Sequence, residues 1–476
     1  MSTKKKTSIL VLFLLGILLI GGLLVYALLN TFIFNETELS ELVHSETIYT
    51  FLALAVLMLI FLIILVITHS HKKKVIIPKK NLDEMAKENE EAVVTPTVIK
   101  VETQESEKPK EKVEQTEESR FYMLTQLDKK YENYEAPKYN NKIGLEEFCN
   151  QFRNFMSYKL KLYYDISNIR RFVASLSVSK IMILQGMSGT GKTSLAYAFG
   201  EFLQNQTTVV PIQPMWKERT DLIGYYNEFT KKFNEGLLLQ KIYEANFTDE
   251  IYITVLDEMN IARIEYYFAE FLSLLELPNL DSRNIDVITD KWDNDPKLLR
   301  KGQIKLSKNM WFIGTANNDD STFAISDKVY DRAMIINLDT KAEPFEAPKT
   351  EPVKISCEYL EKIMQIAQKD YVISRRNMNR IKKLDEYMIA NFHLTFGNRI
   401  MKQIKTYVPV FVACGGDELE AIDDILSRKV IRKLEAQNPV YVRNASEGLC
   451  NYLDEVFGED KMPLCKEYIQ RIARNA

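Results

Sequence analysis

Lys192 and Thr193 close the stretch GMSGTGKT, Gly186–Thr193. Three glycines there free the backbone to turn so that successive N–H groups point inward, as a phosphate requires. Lys192 would reach the β- and γ-phosphates, and the Thr193 hydroxyl would ligate Mg²⁺. A second group of residues completes such a site. The apolar run IYITVLDEMN ends in Asp257-Glu258. A desolvated carboxylate is costly, so an acidic pair at the end of a buried strand calls for a chemical reason. Asp257 can hold the Mg²⁺ shell, and Glu258 can orient and deprotonate an attacking water. A third apolar run, MWFIGTANND, ends in the polar Thr315 and Asn317, whose amide can position the same water.

These residues need particular supports. KIMILQ before the loop reads as a strand, and TSLAYAFGEFLQ after it as an amphipathic helix. Strand, glycine loop, helix is the setting a phosphate loop needs, and the helix start adds its dipole. The competing reading is a plain strand–helix turn. Three apolar strands with polar ends on one edge describe a ligand site at the carboxyl end of a parallel sheet. Apolar residues from Leu145 to Leu176 recur at helical spacing, which predicts two or three helices before the sheet. From about Val353 to Ala476 the periodicity is again helical, with a turn at Gly415-Gly416.

The chain has 476 residues and a net charge of −3, without the basic excess of a nucleic-acid binder. Its five cysteines are scattered and only four histidines are present. That argues against a disulfide framework or a zinc site. Two uncharged apolar runs, residues 9–29 and 48–67, are long enough to cross a bilayer. A cleaved signal peptide is the competing reading of the first. Lysines flank the pair outside and acidic residues fill the connecting loop. The basic-residue rule then predicts a multi-pass membrane protein with its N-terminus and soluble part in the cytoplasm. Residues 71–120 contain no aromatic residue and no glycine, which predicts a disordered tether or, alternatively, a charged helical stalk.

The phosphate loop, LDEMN and GTANND together resemble those of the AAA+ ATPases. Within them the resemblance is to the clade of MoxR-type ATPases, dynein-like modules and the NTPase subunit of the McrBC restriction system. It covers about Leu145 to Leu434. It implies a P-loop parallel sheet with helices on both faces, followed by an α-helical lid. It implies nucleotide contacts from Gly186, Met187, Ser188, Gly189, Thr190, Gly191, Lys192, Thr193 and Ser194. Thr193 and Asp257 would serve the metal, Glu258 the water and Asn317 the sensor 1 position. Arg332 in KVYDRA falls at the arginine-finger position, which reaches the nucleotide of the next subunit. Arg399 falls at the sensor 2 position, with Arg375, Arg376 and Arg380 as rivals. WKERTDLIGYYNEF resembles a segment whose aromatics line a pore or an interface, or else sit on the surface. Residues Asn279–Asn309 resemble the clade's β-hairpin insertion.

The domains expected are a membrane anchor (1–70), a tether (71–120), helices (121–178), the nucleotide-binding domain (179–340) and the lid with its extension (341–476). The cofactors implied are ATP and Mg²⁺, with ATP as the superfamily's usual nucleotide. The leading expectation is a membrane-anchored ATPase, a hexameric homo-oligomeric ring, that remodels a protein partner. It would meet lipid through residues 9–29 and 48–67. The alternative is an McrB-like NTPase of a nucleic-acid defence system acting with a partner nuclease. A nucleotide-dependent scaffold is a third reading, and nucleic acid is the less favoured partner.

Overall fold

The computed structural model describes residues 119–475, apart from Lys291, 318–321 and 340–341. Five strands form one parallel sheet: β1 (Ile181–Gln185), β2 (Thr208–Pro211), β5 (Tyr252–Asp257), β8 (Met310–Ala316) and β9 (Met334–Asn337). Their order is β2-β5-β8-β1-β9. The strands are mainly apolar, with polar residues gathered towards their carboxyl ends, because helices cover both faces, as a parallel sheet requires. Gln185 pairs with Ala316 on one side and Asn337 on the other. The last residues of β1, β8 and β9 therefore lie along one edge, and Asp257 ends β5 on that same edge.

Two antiparallel pairs stand outside the sheet. β3 (Gly224–Asn227) pairs with β4 (Lys232–Glu235), and β6 (Asn284–Asp286) with β7 (Gln303–Lys305). The second pair lies inside the Asn279–Asn309 stretch. Ahead of the sheet, helices run over Tyr122–Lys130, Leu145–Phe155 and Ile166–Val178. The 3.6-residue pattern breaks at Met156–Leu160, a wider π-helical turn that ends in left-handed Lys161. Phe148, Phe152, Phe155 and Phe172 are all buried against Phe199 and Phe202 of the phosphate-loop helix, Lys192–Phe202. That aromatic cluster fixes the helix whose first turn carries the loop.

Six further helices run from Cys357 to Asn475. One of them, Glu418–Lys429, buries charge rather than displaying it. Asp424 accepts from the Tyr407 hydroxyl and pairs with Arg171 and Arg428. Lys429 donates to the carbonyls of Tyr330 (2.7 Å) and Ala333. Burial lowers the Arg428 pKa to about 10 and that of Lys429 to about 7. Removing one member of such a cluster strands the others without solvent. Asp424→Ala is expected to cost about 3–5 kcal/mol in urea unfolding, and a loss under about 1 kcal/mol would refute this.

The two apolar runs at 9–29 and 48–67 and nearly all of the charged tether lie outside the described residues. Among the described residues no helix is long and apolar enough to cross a membrane. The longest, Arg375–Phe392 and Pro439–Phe457, carry charges along one side and bury Ile381, Leu384, Leu449 and Leu453 on the other. On that finding the multi-pass membrane localisation, with its lipid contacts, is corrected and not retained. Arg120, assigned by composition to the tether, is buried. It grips both Asp295 oxygens at 2.8 Å and lies 4.4 Å from the Trp292 ring centre.

Candidate functional site

At the carboxyl edge of the sheet the chain turns from β1 into the phosphate loop. Gly186 has φ +147°, and a Cβ there would stand 2.5 Å from the Leu338 carbonyl oxygen. Gly191 has φ +90°, and its Cβ would meet the Tyr164 hydroxyl at 2.6 Å. Both positions therefore exclude a side chain on sterics as well as on backbone conformation. Tyr164 donates to the Gly191 carbonyl at 2.7 Å, and burial pushes its phenol pKa up. The crest, Met187, Ser188 and Gly189, is exposed, whereas Thr190 is half-buried and donates to the Met187 carbonyl at 3.0 Å. Lys192 is buried and folds its ammonium back onto the Gly186 and Met187 carbonyls at 3.0 and 2.7 Å. Ser194 follows in the first turn of the helix.

A chain of hydrogen bonds ties this loop to β5 and β8. The Thr193 hydroxyl donates to Asp257 Oδ1 at 2.8 Å. The Thr315 hydroxyl donates to the same oxygen at 2.8 Å and accepts from the Glu258 backbone N–H at 2.8 Å. Glu258 stands at φ +53°, the left-handed region. A non-glycine residue held there costs on the order of 1–3 kcal/mol, a strain that clusters at functional positions. Asn260 fixes the next neighbour. Its amide donates to the Asn317 and Phe323 carbonyls at 2.9 and 3.2 Å and accepts from the Asn317 N–H at 3.3 Å. Asn317 is thus set by its backbone beside the strand end.

The donor set suits Mg²⁺. A hydroxyl and a carboxylate oxygen in contact offer hard oxygen ligands, and nucleotide phosphates with water can supply the remaining positions. Among the described residues no group of three or more His, Cys, Asp or Glu could hold a metal alone. Of the three loop glycines only Gly189 borders open space, with nothing within 4 Å of where its Cβ would stand.

Arg332 and Arg399 are not at this edge. Arg332 precedes β9, so it lies at the amino edge, where the Ser179 hydroxyl ahead of β1 donates to its carbonyl at 2.8 Å. From Ala333 to Leu338 the chain runs extended for roughly 16 Å, more than an arginine can reach. Arg399 begins the helix Gly397–Ala413 and shares a carboxylate, Glu276, with Arg332. The structure therefore gathers Gly186–Ser194, Asp257, Glu258, Thr315 and Asn317 in one place and the two arginines in another.

Sequence reasoning missed Tyr164 and Glu276, and nothing in their local sequence marks them. Thr315 was visible as a polar strand end, but its bridging role was not. The hairpin β3–β4 was also unread. In WKERTDLIGYYNEF, Trp216 packs edge-on against buried Tyr267, whereas Tyr225 and Phe229 are exposed.

Residues 181–333 match the family described as AAA domain (dynein-related subfamily). Over 173 residues the chain is 26% identical to the type IV methyl-directed restriction enzyme EcoKMcrB subunit of Escherichia coli (strain K12), covering 35% of this chain and 36% of that protein. The chain thus spans about a third of the length of that relative. A full-length MCM homolog from Methanopyrus kandleri aligns at TM-score 0.34 and 10% identity over 62% of this chain and 61% of that one. The family match over residues 181–333 and the parallel sheet with its glycine-rich loop together support an AAA+ ATPase.

Proposed function

We propose that this chain binds a nucleoside triphosphate with Mg²⁺ and hydrolyses it as one subunit of a head-to-tail ring, using the cycle to remodel a protein partner. The hydrogen-bonded chain from Thr193 through Asp257 and Thr315 to Glu258 carries the reading. Mg²⁺ at Thr193 and Asp257 would neutralise charge developing on the phosphates. Lys192 and the loop N–H groups hold the β- and γ-phosphates. The Glu258 carboxylate takes the proton of the attacking water, and Asn317 orients that water.

Arg332 lies at the far edge, so its proper target is the nucleotide of a neighbouring copy. A heterologous contact of this kind closes into a ring when its rotation allows. The test is ATP and GTP turnover by the full-length chain across a protein concentration series. Turnover per subunit should rise as the protein self-associates. Flat turnover over a range where sedimentation shows assembly would remove the trans arginine from the mechanism.

The similarity to a restriction-enzyme subunit favours a second reading, an NTPase working with a nuclease on nucleic acid. That reading expects DNA to stimulate turnover and to bind with a steep negative salt slope. Protein remodelling expects neither.

A further inference from the structure

Arg332 and Arg399 come from different elements and close on one carboxylate. Arg332 Nε lies 2.8 Å from Glu276 Oε2, and Arg399 Nη2 lies 2.8 Å from Glu276 Oε1. Each oxygen of Glu276 takes one guanidinium. The grip on Arg332 is incomplete: its Nε is buried yet has no hydrogen-bond acceptor, because the close oxygen lies off the N–H axis. The pair stands in a cleft of about 870 Å³ at the amino edge of the sheet. Lys180, Arg283, Lys308 and Lys402 also line it, so six basic side chains face only three acidic ones, Glu276, Asp331 and Glu361. Lys180 and Arg283 have pKa values lowered by burial, the mark of cations short of solvent.

Such a cleft is set for an anion. A terminal phosphate brings three acceptor oxygens and more charge than a carboxylate, so it can satisfy both guanidiniums and the unsatisfied Nε. The backbone behind Arg332 is already fixed. Gln403 donates to the Asp331 carbonyl at 3.1 Å, Lys429 donates to Tyr330 and Ala333, and Arg332 Nη1 donates to the Lys328 carbonyl at 2.9 Å. Only side chains have to change partner.

We propose that Glu276 is a latch: in the lone subunit it occupies the place of the terminal phosphate that a second copy of this chain presents, and it holds Arg332 and Arg399 until that copy docks. Glu276 is a positioning residue that competes with the incoming phosphate. The inference rests on the trans reading of Arg332 given above.

The test is ATP turnover with Mg²⁺ by the full-length chain over a protein concentration series, in wild type, Glu276→Gln, Arg332→Ala and the double variant. Gln keeps the shape and weakens two partly exposed ion pairs, each worth about twofold, so half-maximal turnover should move to a protein concentration roughly fourfold lower. Structural damage would not raise activity. Glu276→Ala must move the curve the same way, which guards against a fault peculiar to Gln. Arg332→Ala should abolish the concentration dependence, and the double variant should match it. If Arg332→Ala abolishes the dependence while both Glu276 variants leave the curve in place or lower it throughout, the latch is wrong and the trans reading stands. If Arg332→Ala changes nothing, both fall. If turnover at fixed protein concentration rises only on adding duplex DNA, the cleft takes nucleic-acid phosphate and the latch falls.

Discussion

Glu258→Gln is expected to lower nucleotide hydrolysis by about 10²–10⁴-fold, the usual contribution of a positioned general base. The substitution removes one function and little else. Gln has nearly the shape of Glu, and the backbone N–H of residue 258 keeps its bond to the Thr315 hydroxyl. The phosphate loop, Lys192 and the Thr193–Asp257 pair are untouched. Nucleotide affinity, read by a fluorescent analogue, should stay within a few-fold of wild type. A fall in turnover of less than about tenfold would assign the base to another group.

Arg332→Ala should produce a loss of similar or greater size, but in assemblies only. An arginine supplied to another subunit's phosphates contributes about 10³–10⁵ in rate. At protein concentrations where wild type is assembled, turnover should fall by at least about 10³-fold. Well below assembly, variant and wild type should coincide, because Arg332 is too far from its own phosphate loop to act there. Equal losses at all concentrations would mean damage to the subunit instead. Mixing tests the point further. Glu258→Gln and Arg332→Ala subunits together should recover activity, since each supplies what the other lacks.

The carboxyl edge of the sheet was legible because its rules are local. Glycines at 186, 189 and 191, a lysine and a threonine, and strands ending in polar residues can each be recognised within ten residues of sequence. The helices before the sheet were legible from the spacing of Phe148, Phe152 and Phe172. What failed to show depends on partners distant in sequence. Glu276 is one acidic residue near a helix end, and only the fold brings it between Arg332 and Arg399. Tyr164 meets Gly191 across 27 residues that hold a helix and β1, a contact that periodicity does not report. The helix Glu418–Lys429 misleads in a different way. Its Asp423, Asp424, Arg428 and Lys429 would be placed on a solvated face by composition, yet all four are buried. They are tolerated because each finds partners, including the carbonyls of Tyr330 and Ala333 just before β9 and of Ile335 within it. Arg120 shows the same limit: its charge-rich surroundings hide a buried anchor on Asp295 and Trp292.

β9 touches both halves of this machinery. Its carboxyl end leads to Leu338, whose carbonyl limits the space at Gly186. Its amino end leads back to Ala333 and Arg332, and the helix Glu418–Lys429 clamps carbonyls at Tyr330, Ala333 and Ile335. Close-packed interiors pass displacement on because they have little slack to absorb it. A subunit built this way cannot seat a phosphate in silence. Under the trans role proposed for Arg332, the strand that bounds the phosphate loop would also set the arginine meant for the neighbouring copy, so a displacement at one end would reach the other.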